Sequence, residues 1–268
     1  MKWIYRFLSI CLALIFLVPV IWMLAVSVKV EGFKLDSVFD WFLPPYSLDS
    51  YKKVLAQTPL LTWTGNSFIV ATATTALVVL LSSMAAFALS VLRFRFKRLV
   101  YMIVLAGLMV PGEATIIPLY QVVKDLHLLD SYSGLILPAI ASPFAVVVLK
   151  SFYDALPGEL LESAELDGAG LWTIYSRIVL PLTKPAMSSI AILTFIGSWN
   201  SFLWPYLCVS SSELFTLPIG VPTLMSGYTR DYVIPMTVNS LSSIPIILLF
   251  LIFEKQIVKG VSLTGLKG

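Results

Sequence analysis

Long apolar runs separated by short polar segments dominate the sequence. Six of these runs approach the roughly 20 residues that a helix needs to cross a bilayer, and they cover residues 7–28, 67–89, 99–123, 133–151, 186–209 and 235–258. The pattern predicts an all-α polytopic membrane protein with six transmembrane helices. Because no polar segment is long enough for a soluble domain, we expect residues 1–268 to form a single transmembrane domain.

The first apolar run also has features of a signal peptide. Lys2 and Arg6 precede it, and the sequence AVS at residues 25–27 resembles a cleavage site. The run is longer than the roughly 7–15 apolar residues of a signal-peptide core. We therefore expect a retained transmembrane helix, with a cleaved signal peptide as the alternative.

The composition agrees with a membrane protein, because 58% of the residues are hydrophobic and only 12% are charged. Soluble domains carry about 25% charged residues. The net charge of +3 is too small to indicate a nucleic-acid partner.

Few residues with catalytic or metal-binding chemistry are available. His127 is the only histidine, and Cys11 and Cys208 lie within apolar runs, where they are typical of small buried side chains. The phosphate-binding sequence G-x-x-x-x-G-K-[ST] does not occur. We expect no metal site and no cofactor in this chain, so any nucleotide would bind another polypeptide.

Lysine and arginine are distributed unequally between the two sides of the predicted membrane domain. Twelve of the 18 fall on the side of both termini and six on the other side, and RFRFKR at residues 93–98 is the densest cluster. Basic residues concentrate in cytoplasmic loops. The bias predicts cytoplasmic termini, a cytoplasmic segment at 152–185, and external segments at 29–66 and 210–234.

The sequence LLESAELDGAG at residues 160–170 is the least apolar part of this cytoplasmic segment. We predict a short helix that starts at Pro157 and ends at Gly168, since proline suits a first helical position and glycine a helix end. A second amphipathic piece follows from Leu171 to Leu180 and should stop at Pro181. Helices this short are marginal alone, so they require a packing partner.

Three functions are open for residues 160–170: a catalytic carboxylate pair, a solvated loop or a docking surface. Catalysis is disfavoured because Glu162 and Asp167 point to different helix faces, and no histidine or cysteine lies nearby. We therefore expect the chain not to be an enzyme.

Several motifs resemble those of a known family. Glu162-Ser163-Ala164, Gly168 and Ile178-x-Leu180-Pro181 match the EAA–x3–G–x9–I–x–L–P signature of inner-membrane permease subunits of bacterial ABC importers, with Ser163 in place of the first alanine. Further segments are similar to the carbohydrate, maltose-type branch: MVPGEATIIPLY (109–120), GSWNSFLWP (197–205), FTLPIG (215–220) and KGVSLTGLKG (259–268). The resemblance extends over residues 67–268.

The resemblance implies a permease subunit of a bacterial inner-membrane importer that forms half of a translocation pathway for a sugar or oligosaccharide. Its partners would be a second homologous permease, two ATPase subunits that bind ATP-Mg, and an extracytoplasmic solute-binding protein. A permease of the same type for another solute, such as glycerol phosphate, is the nearest alternative. A secondary carrier or a membrane enzyme would be a different class of protein.

The resemblance also assigns roles to particular residues. The stretch around residues 159–170 would be the coupling helix that contacts the ATPase. The residues assigned to coupling would be Glu162, Ser163, Ala164, Asp167, Gly168, Ile178, Leu180 and Pro181. The external segment at 210–234 resembles the loop that probes the sugar cleft of the binding protein, with an ordinary cap over the pathway as the alternative. The tail at 262–268 would reach the ATPase or be a frayed terminus.

Four residues are candidates for the translocation pathway. Glu113 is the only acid well inside a predicted span and follows the helix-breaking pair Pro111-Gly112, so it either lines a cavity or pairs internally. Trp199, Asn200 and Phe202 offer the aromatic faces and amide that suit a hydroxyl-rich solute. Trp204 and Tyr206 are more typical of an interfacial aromatic belt.

Overall fold

The computed structural model describes residues 2–33, 37–225 and 231–265, and these are predominantly helical with no strand among them. Lys29 and Tyr46 form an isolated antiparallel bridge. The predicted all-α fold is confirmed. The helices are α1 (Lys2–Ser27), α2 (Asp49–Gln57), α3 (Leu60–Ser90), α4 (Lys97–Met109), α5 (Ile116–Asp125), α6 (Tyr132–Ile136), α7 (Pro143–Asp154), α8 (Gly158–Leu166), α9 (Leu171–Thr173), α10 (Leu180–Leu182), α11 (Lys184–Trp199), α12 (Leu203–Cys208), α13 (Leu217–Met225) and α14 (Val233–Gly265).

Two helices of the described residues are long and apolar enough to cross a membrane unbroken, over Trp3–Ser27 and Leu60–Ser90. Three helix pairs meet the same criteria only when each pair is taken together: Lys97–Met109 with Gly112–Asp125, Tyr132–Ala139 with Pro143–Asp154, and Leu171–Leu182 with Lys184–Trp199. The predicted sixth span lies within α14, whose stretch Val233–Leu248 is apolar.

The sequence predicted a break in the third span at Pro111-Gly112, but it did not predict that the fourth and fifth spans are interrupted. The third bends by 97° between Met109 and Gly112, and the fourth by 45° before Pro143. Proline lacks an N–H group and its ring clashes with the preceding helical turn, so Pro111 and Pro143 each begin a new helical piece. The predicted fifth span, 186–209, ends early because α11 stops at Trp199.

The chain divides into two compact units, Met1–Asn66 with Phe215–Leu249, and Ser67–Leu214 with Phe250–Gly268. In the first unit, hydroxyl groups link helices: Tyr51 Oη lies 2.7 Å from Ser27 Oγ and 3.1 Å from Ser240 Oγ. Such hydrogen bonds hold apolar helices in register within a bilayer. The single-domain assignment stays a prediction.

The second unit has a core where α3, α7, α11 and the segment between α9 and α10 meet. Val78, Leu149, Ile174, Val179 and Ile190 are fully or almost fully buried there. This core supports the segment that contains the EAA-type signature.

Three predicted regions extend past the described residues. Residues 34–36 of the first external segment, 226–230 of the second and 266–268 of the C-terminal tail lie outside them. The assignments made for those positions stay predictions.

Candidate coupling segment and pathway residues

The helix α8 carries the first half of the signature. Pro157 occupies its N-cap position, so the helix begins at Gly158, one residue later than predicted. Glu159 lies in its first turn. A carboxylate is favourable there because the helix dipole places partial positive charge at the N-terminus. The predicted short helix is therefore present, from Gly158 to Leu166.

A double hydrogen bond closes the end of α8. The Gly168 N–H donates to the Glu165 carbonyl at 3.0 Å, and the Ala169 N–H donates to the Ala164 carbonyl at 2.9 Å. This is the Schellman arrangement, which requires a left-handed residue after the helix end. Gly168 supplies it with φ +79°, a conformation that a residue with a Cβ adopts only with strain.

Opposite faces of α8 differ sharply in exposure. Ala164 is only 8% exposed and packs into the core of the second unit, with Leu161 half-buried beside it. Glu162, Ser163 and Asp167 are exposed. Leu160 is exposed and Leu166 is 88% exposed, so Leu161 and Ala164 are the residues of α8 that hold it to the core.

The second helical piece runs from Leu171 to Leu182 and contains a π-helical segment, Ile174–Val179. The predicted stop at Pro181 was wrong, because the helix continues through it to Leu182. The wider π turn shifts the backbone hydrogen bonds by one residue and accommodates the proline. Ile178 and Leu180 pack against the core, whereas Pro181 is exposed.

Tyr175 is a residue of this segment that the sequence patterns did not single out. Its side chain is 3% exposed, and its hydroxyl lies 2.6 Å from Ser83 Oγ of α3. The Phe87 ring lies 5.2 Å away, centroid to centroid. Tyr175 therefore anchors the segment to α3, a role visible only once the chain is folded.

An apolar groove of about 250 Å³ lies beside Tyr175, between the end of α3 and the start of the second helical piece. Trp172 forms part of its wall and is 67% exposed. The remaining lining residues are Met84, Phe87, Ala88, Leu92, Leu171 and Tyr175. Leu171 and Trp172 of this lining follow the signature residue Gly168 closely in the chain.

Glu113 lies at the break between α4 and α5, in the short 3₁₀ turn Gly112–Thr115. The predicted helix break at Pro111-Gly112 is confirmed. The side chain of Glu113 is exposed within this chain, as are Met109 and Ile117 on either side. The pathway role of Glu113 stays a prediction.

The other pathway candidates occupy different settings. Trp199 is 4% exposed and packs edge-on to Phe68 at 5.0 Å between ring centroids. Asn200 ends α11 and donates from its amide to the Ile196 carbonyl at 2.9 Å, with its side chain exposed. Phe202 is exposed and stacks on Tyr206 at 5.5 Å. Trp199 therefore stabilises the core, while Asn200 and Phe202 are accessible.

Asp130 was not predicted from sequence and joins two loops outside the predicted spans. Its carboxylate accepts hydrogen bonds from the Ser211 hydroxyl and from the backbone N–H groups of Ser210 and Ser211, at 3.0 and 2.9 Å for the two amides. These bonds, chiefly that of the Ser211 hydroxyl, hold the pKa of Asp130 below its usual range. Asp130 has a φ of +54°, a left-handed conformation that aspartate tolerates better than most residues because its short side chain can hydrogen-bond locally.

Comparison with known proteins identifies the class. The family described as "Binding-protein-dependent transport system inner membrane component" matches residues 78–263. The chain belongs to this family, so it is an inner-membrane subunit of a transport system. The resemblance to ABC importer permeases is confirmed, while the assignment to the maltose-type branch stays a prediction.

Two named relatives cover most of the chain. It is 36% identical over 260 residues to the arabinooligosaccharides transport system permease protein AraQ of Bacillus subtilis, covering 96% of this chain and 92% of that protein. It is also 36% identical over 197 residues to the sn-glycerol-3-phosphate transport system permease protein UgpE of Yersinia enterocolitica, covering 73% and 70%.

A solved structure has the same fold. It is the crystal structure of a bacterial ABC transporter involved in the import of the acidic polysaccharide alginate, and the match has a TM-score of 0.84. The two chains are 20% identical, and the match covers 95% of each. At this identity, the likeness concerns the fold alone.

Proposed function

We propose that the chain forms half of the translocation pathway of a bacterial ABC importer for a sugar or oligosaccharide. A second homologous permease would complete the pathway, two ATPase subunits would bind ATP-Mg, and an extracytoplasmic protein would deliver the solute. The chain itself would bind no cofactor. Both termini and the segment 152–185 would lie in the cytoplasm, as the distribution of basic residues predicts.

The observation that carries the proposal is the construction of α8. Ala164 fixes the helix to the core, the Schellman arrangement closes its end, and Glu162, Ser163 and Asp167 remain exposed. A rigid, exposed element is suited to transmit motion. ATP-driven closure of the ATPase pair would shift the chain between inward- and outward-open states by binding α8 differently in each state.

The core contacts of the second helical piece support the same role. Ile178 and Leu180 pack against the core, and Tyr175 bonds to Ser83 of α3. A displacement of α8 would reach α3 through these packed side chains, since closely packed interiors transmit strain. We therefore divide the signature into exposed docking residues and residues that connect docking to the membrane helices.

The sugar class is supported by AraQ, whose name refers to arabinooligosaccharides. The accessible pathway candidates are an acid, an amide and a phenyl ring, at Glu113, Asn200 and Phe202. This set suits a neutral hydroxyl-rich solute. The similarity to UgpE supports the second candidate, a glycerol-phosphate importer, although an anionic solute would be repelled by Glu113.

Substitutions at Gly168 test the docking role. A Cβ at this position meets no atom within 4 Å in the chain, so Gly168→Ala and Gly168→Trp impose the same backbone strain, but only tryptophan adds bulk to the surface. We expect Gly168→Trp to insert normally and to abolish ATP-driven uptake or assembly, while Gly168→Ala retains a measurable part of both.

The measurement is uptake of labelled arabino-oligosaccharides and of sn-glycerol 3-phosphate by the reconstituted complex, with assembly scored by co-purification. Normal uptake with Gly168→Trp would refute docking at this surface. Equal loss in both variants would assign the effect to backbone strain instead. If the complex takes up sn-glycerol 3-phosphate and no arabino-oligosaccharide, the second candidate function, a glycerol-phosphate importer, replaces the sugar importer.

A further inference from the structure

The turn between α3 and α4, together with the first two residues of α4, combines basic and aromatic residues in alternation, as RFRFKR over residues 93–98. Arg93, Arg95 and Arg98 are exposed, and so are the interleaved Phe94 and Phe96, at 42% and 59%. Five of the six side chains of this turn therefore point away from the chain's own core.

Lys97 is the exception and has a structural task. Its ammonium group donates to the carbonyls of Ser90 at 2.9 Å and Leu92 at 3.0 Å, at the end of α3. Cations stabilise helix C-termini in this way. The three arginines make no ion pair among the described residues, and the sequence has no acid between Asp49 and Glu113. Their charge is therefore available to an external anion.

The turn lies where two apolar surfaces end. The adjoining face of α4 exposes Leu99 at 50% and Ile103 at 64%, and α3 is apolar enough to span a membrane. Once these helices are in a bilayer, residues 93–98 lie at the boundary between acyl chains and headgroups. Exposed phenyl rings are suited to the apolar side of that boundary, and guanidinium groups to the phosphates, which they bind bidentately.

We propose that residues 93–98 form a binding site for the headgroup of an anionic phospholipid. Arg93, Arg95 and Arg98 bind the phosphate, and Phe94 and Phe96 seat the turn at the acyl boundary. The Arg95 guanidinium lies 5.4 Å from the Phe96 ring centroid, so the two kinds of contact are made side by side. This site is independent of the coupling role proposed above, because it requires neither ATP nor another subunit.

The test measures lipid selectivity of the purified full chain in vesicles of phosphatidylcholine containing a minor fraction of phosphatidylglycerol. Spin-labelled analogues of the two lipids report the fraction that the protein immobilises. The chain should prefer phosphatidylglycerol, and R93Q/R95Q should lower this preference by up to about fivefold for each arginine removed. R93K/R95K keeps the charge and should keep part of the preference.

The matched control is K124Q/K184Q, which removes the same charge from two exposed lysines elsewhere, and it should leave the preference unchanged. If R93Q/R95Q and K124Q/K184Q lower the preference equally, the proposal is overturned, because the total charge of the chain would then explain the lipid selectivity. Equal immobilisation of both lipids by the unaltered chain would overturn it too. If R93Q/R95Q fails to fold, the unaltered chain provides the test. Its preference for phosphatidylglycerol must fall as the salt concentration rises, and it must not fall further when inorganic phosphate replaces part of the salt at the same ionic strength.

Discussion

Two helix breaks in the second unit are built from similar residues and have opposite properties. The turn at Gly168 is closed by two backbone hydrogen bonds and rests on the buried Ala164. The break at Pro111-Gly112 bends the chain by 97°, and its neighbours Met109, Glu113 and Ile117 are exposed. The difference teaches that a glycine near a helix end can either fix an element in place or leave it open to partners.

The largest expected effect comes from overfilling the base of the closed turn. Ala164→Leu inserts a branched side chain where Ala164 is almost fully buried, and overpacking of this kind costs about 1–3 kcal/mol. Ser163→Leu changes the exposed neighbour and should change stability by less than about 0.5 kcal/mol. Thermal unfolding of the purified chain compares them. Equal stability of the two variants would show that Ala164 is not tightly packed against the core.

The second effect concerns the left-handed residue itself. Gly168→Ala should destabilise the turn by about 1–2 kcal/mol because of its positive φ, whereas Gly170→Ala should be nearly neutral, since Gly170 has φ −70° and open space around it. Amide hydrogen exchange at Ala169, whose N–H closes the turn, should accelerate by about tenfold or more only in Gly168→Ala. Acceleration in both variants would contradict the Schellman explanation.

A smaller effect is expected on stability at the open break. Gly112→Ala adds a methyl group where no atom lies within 4 Å, so we expect a change below about 0.5 kcal/mol in the same unfolding assay. A loss of stability comparable to that of Gly168→Ala would mean that the break at Pro111-Gly112 is as constrained as the turn at Gly168, which would contradict the difference drawn between them.

The smallest structural change is expected from Glu113→Ala, which should instead affect transport. Assembly should be intact, because this side chain is exposed within the chain, while uptake or its selectivity should change. Co-purification and uptake of two competing solutes measure the two properties separately. Loss of the folded protein would instead show that Glu113 pairs internally and is structural.

The sequence predicted the helical membrane fold because apolar run length is a strong signal. It also predicted α8 and its glycine end, since both depend on local backbone preferences. It did not predict the interruptions of the fourth and fifth spans, or the angle of the break in the third. A proline inside an apolar run marks only a probable helix boundary, and the bend angle depends on what the pieces pack against.

Side-chain burial on the candidate site was less predictable. Leu166 is apolar and yet exposed, because it lies two positions after the buried Ala164 and therefore on the opposite face of α8. Tyr175 and Ser83 are 92 residues apart in the chain, so only tertiary packing brings their hydroxyl groups together. Local patterns identify the element, and long-range contacts determine which of its residues remain accessible.

The central claim is that α8 is the surface that an ATPase subunit contacts. After replacement of Cys11 and Cys208, a single cysteine at the exposed Glu162 should cross-link to an ATPase subunit in the assembled complex, with a dependence on bound nucleotide. A cysteine at Ala114, which is also exposed and lies at the open break, should not. A cross-link from Ala114 and none from Glu162 would contradict the account.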